Sequence, residues 1–107
     1  MSVQNIEFND ENFDTETAQG VSVICFGDPR ELACVKQHKV IEKAAETIKG
    51  EIKIGKCDIK NCFKLAQRFH IPTIPTIIIF KDGKEVEHLA GFRHEGALIK
   101  HLSAYFE

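Results

Sequence analysis

His70-Ile71-Pro72-Thr73-Ile74-Pro75-Thr76-Ile77-Ile78-Ile79-Phe80-Lys81-Asp82-Gly83 is the stretch on which the fold turns. Its middle, Thr76 to Phe80, is continuous, apolar and β-branched. Such side chains suit an extended chain, and an unbroken apolar run predicts a strand covered on both faces. Lys81-Asp82-Gly83-Lys84 follows, and its Asp-Gly pair predicts a tight hairpin because both residue types accept positive φ. Glu85 to Ala90 then pairs back antiparallel. Upstream, Pro72 and Pro75 keep the approach extended, since residues before proline avoid the helical region. An X-Pro bond loses only about 0.5–1 kcal/mol on going cis, so packing can select either isomer.

Earlier in the chain, strands and helices alternate. Val3 to Phe8 predicts a first strand, and Asn9-Asp10-Glu11-Asn12 opens a helix whose acidic residues suit its amino end. Gly20 breaks the chain before Val21 to Phe26, a second near-continuous apolar run. Asp28, Pro29 and Glu31 then fit an N-cap, the first helical position and a capping box. Leu32, Val35, His38, Ile41, Ala44, Ala45 and Ile48 recur at three and four, predicting one buried helix face that ends at Lys49-Gly50. Glu51 to Cys57 alternates as a strand. Phe63, Leu65, Ala66 and Phe69 suit a short helix, and Leu98, Ile99, Leu102, Tyr105 and Phe106 a final one. The order β-α-β-α-β-α-β-β-α implies an α/β fold with a mixed central sheet and helices on both faces.

A chain of 107 residues and 12.1 kDa predicts one domain spanning 1–107. Sixteen acidic and 14 basic residues give a net charge of -2. No basic stripe compensates a phosphate array, so nucleic acid and anionic membrane are poor partners. The longest apolar run is too short to span a bilayer. The polar start, Met1 to Glu7, lacks the basic and apolar regions of a signal peptide, which predicts a reduced, cytoplasmic protein.

The stretch from His70 to Gly83 resembles the thioredoxin family, in which the same Ile-Pro-Thr precedes an apolar strand and a Lys-x-Gly turn. The resemblance covers the whole chain, including Val21 to Phe26 and Gly91, and it implies a thioredoxin-like fold. It further implies a cis Ile74–Pro75 bond facing the end of the long helix. Redox homeostasis, electron transport and a thiol or disulfide substrate are the functions it implies.

The catalytic strip departs from that family. Members carry Trp-Cys-Gly-Pro-Cys where this chain has Phe26-Gly27-Asp28-Pro29-Arg30-Glu31-Leu32-Ala33-Cys34. Registered from the helix, Cys34 falls on the second cysteine and Glu31 on the first, with one extra residue before the helix. Registered from the strand, even Cys34 misses. Strand registration places Ile24 at the family's buried aspartate, Phe26 stands for the tryptophan, and Lys39 or its neighbours replace the helix-facing proline. With the helix starting at Pro29, Cys34 is its sixth residue, beyond the stretch where helix-end N–H groups stabilise a thiolate. Glu31 cannot attack sulfur and disfavours a thiolate nearby. Cys34 is thus a weak catalytic candidate, without a partner cysteine to resolve a mixed disulfide. Turnover would need glutathione or a distant thiol.

Cys57 and Cys62 frame Asp58-Ile59-Lys60-Asn61 and can bond only if their Cα atoms come within about 7 Å. A disulfide or redox switch and two separate thiols both remain open, and the second is the favoured reading, with Cys57 pointing into the sheet. Some family members carry an accessory cysteine at the position of Cys62. Cys25 reads as core. Cys34, Cys57, Cys62 and His70 lack zinc-site spacing, so no metal and no cofactor are expected. His38, on the helix flank, shows no cysteine partner at motif spacing.

Two functions follow. One is slow thiol–disulfide exchange through Cys34 or the Cys57/Cys62 pair. The other is a redox-inactive adaptor that binds a protein or extended peptide in a groove made by Phe26, Glu31, Ile71, Ile74, Pro75 and Phe92.

Overall fold

The computed structural model describes residues 2–106. Nine elements follow one another: β1 (Ser2–Glu7), α1 (Phe13–Thr17), β2 (Val21–Gly27), α2 (Leu32–Glu46), β3 (Glu51–Asp58), α3 (Phe63–Arg68), β4 (Thr76–Lys81), β5 (Lys84–Ala90) and α4 (Glu95–Ser103). The element order and the α/β class are those read from the sequence.

The five strands form one mixed sheet in the order β1-β3-β2-β4-β5. β1 and β2 run parallel to β3, while β4 is antiparallel to both β2 and β5. β2 and β4 are central, and the side chains of Val21–Gly27 and Thr76–Phe80 are buried on both faces. At the hairpin, Asp82 and Gly83 take φ of 51° and 83°, the pair of positive values that a two-residue turn with the strands' twist requires.

Strand alternation sorts the core into two layers. Val21, Val23, Cys25, Ile77 and Ile79 face α2 and α4, where Ile41, Ala44, Leu98 and Leu102 meet them. Ile24, Phe26, Ile78 and Phe80 face the other way, with Phe8, Phe13, Cys57, Cys62 and Leu65. In that second layer Phe13 lies 5.0 Å edge-on to Phe80 and 5.4 Å from Phe69, while the Arg68 guanidinium sits 4.9 Å over the Phe69 ring. Helices on both faces thus follow from the alternation of β2 and β4.

Three local expectations are corrected. The long helix begins at Leu32, with Glu31 at its N-cap, rather than at Pro29. Asp28 Oδ1 accepts the Arg30 backbone N–H at 2.9 Å, and the Asp28 carbonyl accepts the Glu31 N–H at 2.9 Å. The residue types that favour a cap therefore close a separate turn here. The buried face also differs. Cys34, Gln37, Ile41, Ala44 and Ala45 are buried, whereas Leu32 and Val35 are exposed. Gln37 is held there by two bonds to the backbone of Arg93, of 2.9 and 2.7 Å. Finally, α2 ends at Glu46 rather than at Lys49-Gly50.

Candidate functional site

Cys57 and Cys62 form a disulfide, with Cα atoms 6.0 Å apart. The favoured expectation of two separate thiols is thereby overturned. Cys57 points into the sheet as expected, but it meets its partner there. β3 ends at Asp58, whose carbonyl accepts the N–H groups of Asn61 and Cys62, each at 2.8 Å. That turn brings Cys62 to the N-cap of α3, back over Cys57. Both cysteines are fully buried, in the layer with Phe8 and Phe26. Cys62 Sγ also lies 3.3 Å from the Phe8 carbonyl oxygen.

Cys34 lies on the opposite face of the sheet. Gly27 continues the alternation of Val23 and Cys25, and a Cβ at Gly27 would stand 2.7 Å from Cys34 Sγ. Glycine is required there because the sulfur occupies the space a side chain would take. Cys34 is the third residue of α2, in its first turn, and not the sixth. Its own N–H is bonded to the Glu31 carbonyl at 3.0 Å. A first-turn thiol would ordinarily be acidified. Burial outweighs that here and raises the Cys34 pKa, the Asp28 backbone N–H opposes it, and the Glu31 and Asp28 carboxylates raise it further. Cys34 is therefore a protonated thiol at neutral pH.

Cys25, not Ile24, is the β2 residue beneath Cys34. Ile24 faces the aromatic layer, whereas Cys25 lines the same cavity as Cys34. Burial, then the neighbouring Cys34, push the Cys25 pKa up to about 12. Both remain free thiols.

The groove residues do not all assemble as expected. The Ile74–Pro75 peptide is cis. Pro75 is buried and its carbonyl accepts the Gly91 N–H at 2.9 Å, while Ile71 and Ile74 are half-buried. Phe92 and Glu31 are exposed. Phe26 is fully buried, with its ring 6.4 Å from Phe69, and cannot line a surface groove. Its position in the alternation of β2 turns it toward the aromatic layer. His70 lies exposed in the turn after α3, and among the described residues no group of three or more His, Cys, Asp or Glu side chains could hold a metal ion.

A cavity of about 460 Å³ opens beside Cys34, between α2 and the carboxyl ends of β1 and β3. His38, one helical turn beyond Cys34, lines it too. The i,i+4 spacing of Cys34 and His38 was the available signal for this pair, since residues so spaced share a helix face. Asp28 lines the cavity as well, and its carboxylate accepts from both Nε and Nη2 of Arg30, at 3.2 and 2.9 Å. These bonds hold the Asp28 pKa down to about 2.

Comparison with known proteins agrees with this architecture. Residues 4–104 match the family described as thioredoxin. A thioredoxin of Chlamydia trachomatis is 35% identical over 95 residues, covering 89% of this chain and 92% of that protein. A thioredoxin of Bacillus subtilis is 30% identical over 93 residues, covering 87% and 89%. Among solved structures, a singly substituted thioredoxin from Halobacterium salinarum superposes with a TM-score of 0.82 at 24% identity, over 99% of this chain and 92% of that one. Among the described residues no helix is long and apolar enough to cross a membrane.

Proposed function

The chain belongs to the thioredoxin family, and from that membership we propose that it is a slow, cytoplasmic thiol–disulfide exchange protein acting through Cys57 and Cys62. The observation that carries this reading is the Phe8 carbonyl, 3.3 Å from Cys62 Sγ. A disulfide sulfur has no proton to donate, whereas a Cys62 thiol would donate there. The fold thus holds an acceptor ready for the reduced state, as a reversible pair needs. An external dithiol would reduce the bond in two steps. One of its thiolates attacks a sulfur of the pair to give a mixed disulfide, and its second thiol closes on the first. Two electrons and two protons pass to Cys57 and Cys62. Full burial of both sulfurs means the attack waits on local opening of the turn, which makes exchange slow.

A redox titration in dithiothreitol buffers, with free thiols trapped and mapped by mass spectrometry, tests this. Cys57 and Cys62 should interconvert together, reversibly, at a potential between roughly -300 and -180 mV. Reduction of the pair only on unfolding would overturn the reading. A second reading, an adaptor that binds an extended peptide, is favoured by Phe92, which remains exposed close to Gly91 and its bond to Pro75. Phe92→Ala should then weaken peptide capture while leaving the titration unchanged.

A further inference from the structure

We infer that exchange at the Cys57–Cys62 bond enters through the Cys62 sulfur, with Asp10 as the latch that governs access to it. This rests on the reading of that pair as exchangeable. Both sulfurs are buried, but their backbones are held unequally. Cys57 belongs to β3, which lies between β1 and β2 in the sheet. It is paired with Phe26 of β2. On one side of it the Phe8 N–H donates to the Lys56 carbonyl at 3.0 Å, and on the other the Ile59 N–H donates to the Gly27 carbonyl at 2.9 Å. Cys57 cannot leave its place without breaking the sheet.

Cys62 stands outside the sheet, at the N-cap of the six-residue α3. Asn61, Phe63 and Lys64 are exposed, so the chain on either side of Cys62 already meets solvent. Asp10, in the loop between β1 and α1, holds this end of α3. Its Oδ1 accepts the Leu65 N–H at 3.1 Å and its Oδ2 the Lys64 N–H at 3.3 Å. First-turn N–H groups have no partner within their own helix, and this one carboxylate serves both. The loop is itself braced. Asn9 Oδ1 accepts the N–H groups of Glu11 and Asn12, and Asn12 Oδ1 accepts that of Asn9, each at 2.8 Å. The last residue of α3, Arg68, is tied separately, to Asp14 at 3.2 Å.

Release from Asp10 lets the start of α3 swing outward with Cys62 while Cys57 stays in the sheet. A thiolate of an external dithiol then attacks Cys62 Sγ. The S–S bond breaks toward Cys57, whose sulfur leaves as a thiolate and is protonated. The reductant's second thiolate attacks its own sulfur in the mixed disulfide and releases Cys62, which is protonated in turn. The dithiol becomes a disulfide, and it supplies both electrons and, through solvent, both protons. Asp10 grips backbone rather than sulfur, so it retards reduction and reoxidation alike.

The test treats the whole protein with 2-mercaptoethanol, quenches early time points with N-ethylmaleimide, and maps tryptic peptides. Lys60 lies between the two cysteines, so cleavage puts them on separate peptides. The mercaptoethanol adduct should sit on Cys62 and the maleimide on Cys57, in about tenfold or greater excess over the reverse labelling. Asp10→Ala should speed reduction by dithiothreitol about tenfold or more, as two hydrogen bonds to a charged group are lost. Reoxidation should gain equally, leaving the midpoint potential unchanged. Asp10→Asn, which keeps one accepting oxygen, should fall between. Asp14→Ala cuts the tie at the other end of α3 and should leave the rate as it is. If Asp10→Ala folds poorly, the adduct map of the unaltered chain decides alone. An adduct chiefly on Cys57, an unchanged rate in folded Asp10→Ala, or an equal gain in Asp14→Ala overturns the inference and leaves the reversible titration standing. Reduction only on global unfolding overturns both.

Discussion

Cys34 shows how opposing effects are decided at a single residue. Its place in the first turn of α2 favours a thiolate, yet burial and two carboxylates favour the thiol, and they prevail. A protein keeping only Cys34 among its free thiols should therefore titrate, by ultraviolet absorbance of the thiolate, above the ordinary value of about 8.5. A midpoint below about 7 would contradict that balance. Asp28 presents the opposite sign. Its pKa, about 2, lies below the ordinary 3.8 because Arg30 donates to it from side chain and backbone. A carboxyl whose folded pKa is depressed adds stability above its unfolded pKa, and that stability is lost as pH falls through the folded value. Asp28→Asn should accordingly flatten the fall in stability between about pH 4 and pH 2, followed by urea midpoints. The same residue marks where sequence reading went astray. Aspartate before proline suits a helix cap and a turn alike, and only the bonds from Arg30 and Glu31 to Asp28 settle which forms.

Elements were more legible than their contacts. β4, its Asp-Gly turn and β5 could be read directly because a buried strand and a two-residue hairpin each demand a narrow set of residues. The buried face of α2 could not, since the periodic apolar residues Leu32 and Val35 are exposed while polar Gln37 is drawn in by Arg93. Nor could the layer assignment of Phe26 and Ile24 against Cys25, where a slip of one residue exchanges the two faces. Between β2 and α2 the fit depends on Gly27. Gly27→Ala would set a Cβ 2.7 Å from Cys34 Sγ and 2.9 Å from its Cβ, deep in a strand–helix contact. Overpacking of this kind costs about 1–3 kcal/mol, and the denaturant midpoint should fall accordingly. Removing the sulfur with Cys34→Ala should recover part of that loss. Additive effects in the double variant would mean that the two residues do not share the space.

Across the whole molecule, the sheet separates two kinds of sulfur, with the free thiols, Cys25 on β2 and Cys34 on α2, on one side and the disulfide in the layer of α1 and α3 on the other. The disulfide layer is the more lightly built. α1 and α3 have only 5 and 6 residues, and Asp10 ties the α3 backbone down through bonds of 3.1 and 3.3 Å. The α2–α4 layer, with helices of 15 and 9 residues, is independent of the bond. Closing a loop this short constrains the unfolded chain modestly, so reduction should lower the unfolding free energy by about 2 kcal/mol. A Cys62 thiol bonded to the Phe8 carbonyl would offset part of that, by about 0.5–1.5 kcal/mol. Urea unfolding with and without dithiothreitol measures the difference, and hydrogen exchange locates it. Protection should drop along residues 57–69 while α2 and β2 keep theirs. A loss spread evenly over both layers, or one above about 4 kcal/mol, would mean that the bond holds the fold together. A loss confined to the α3 side leaves a pair that can open and close while the rest of the molecule stays folded, as reversible exchange requires.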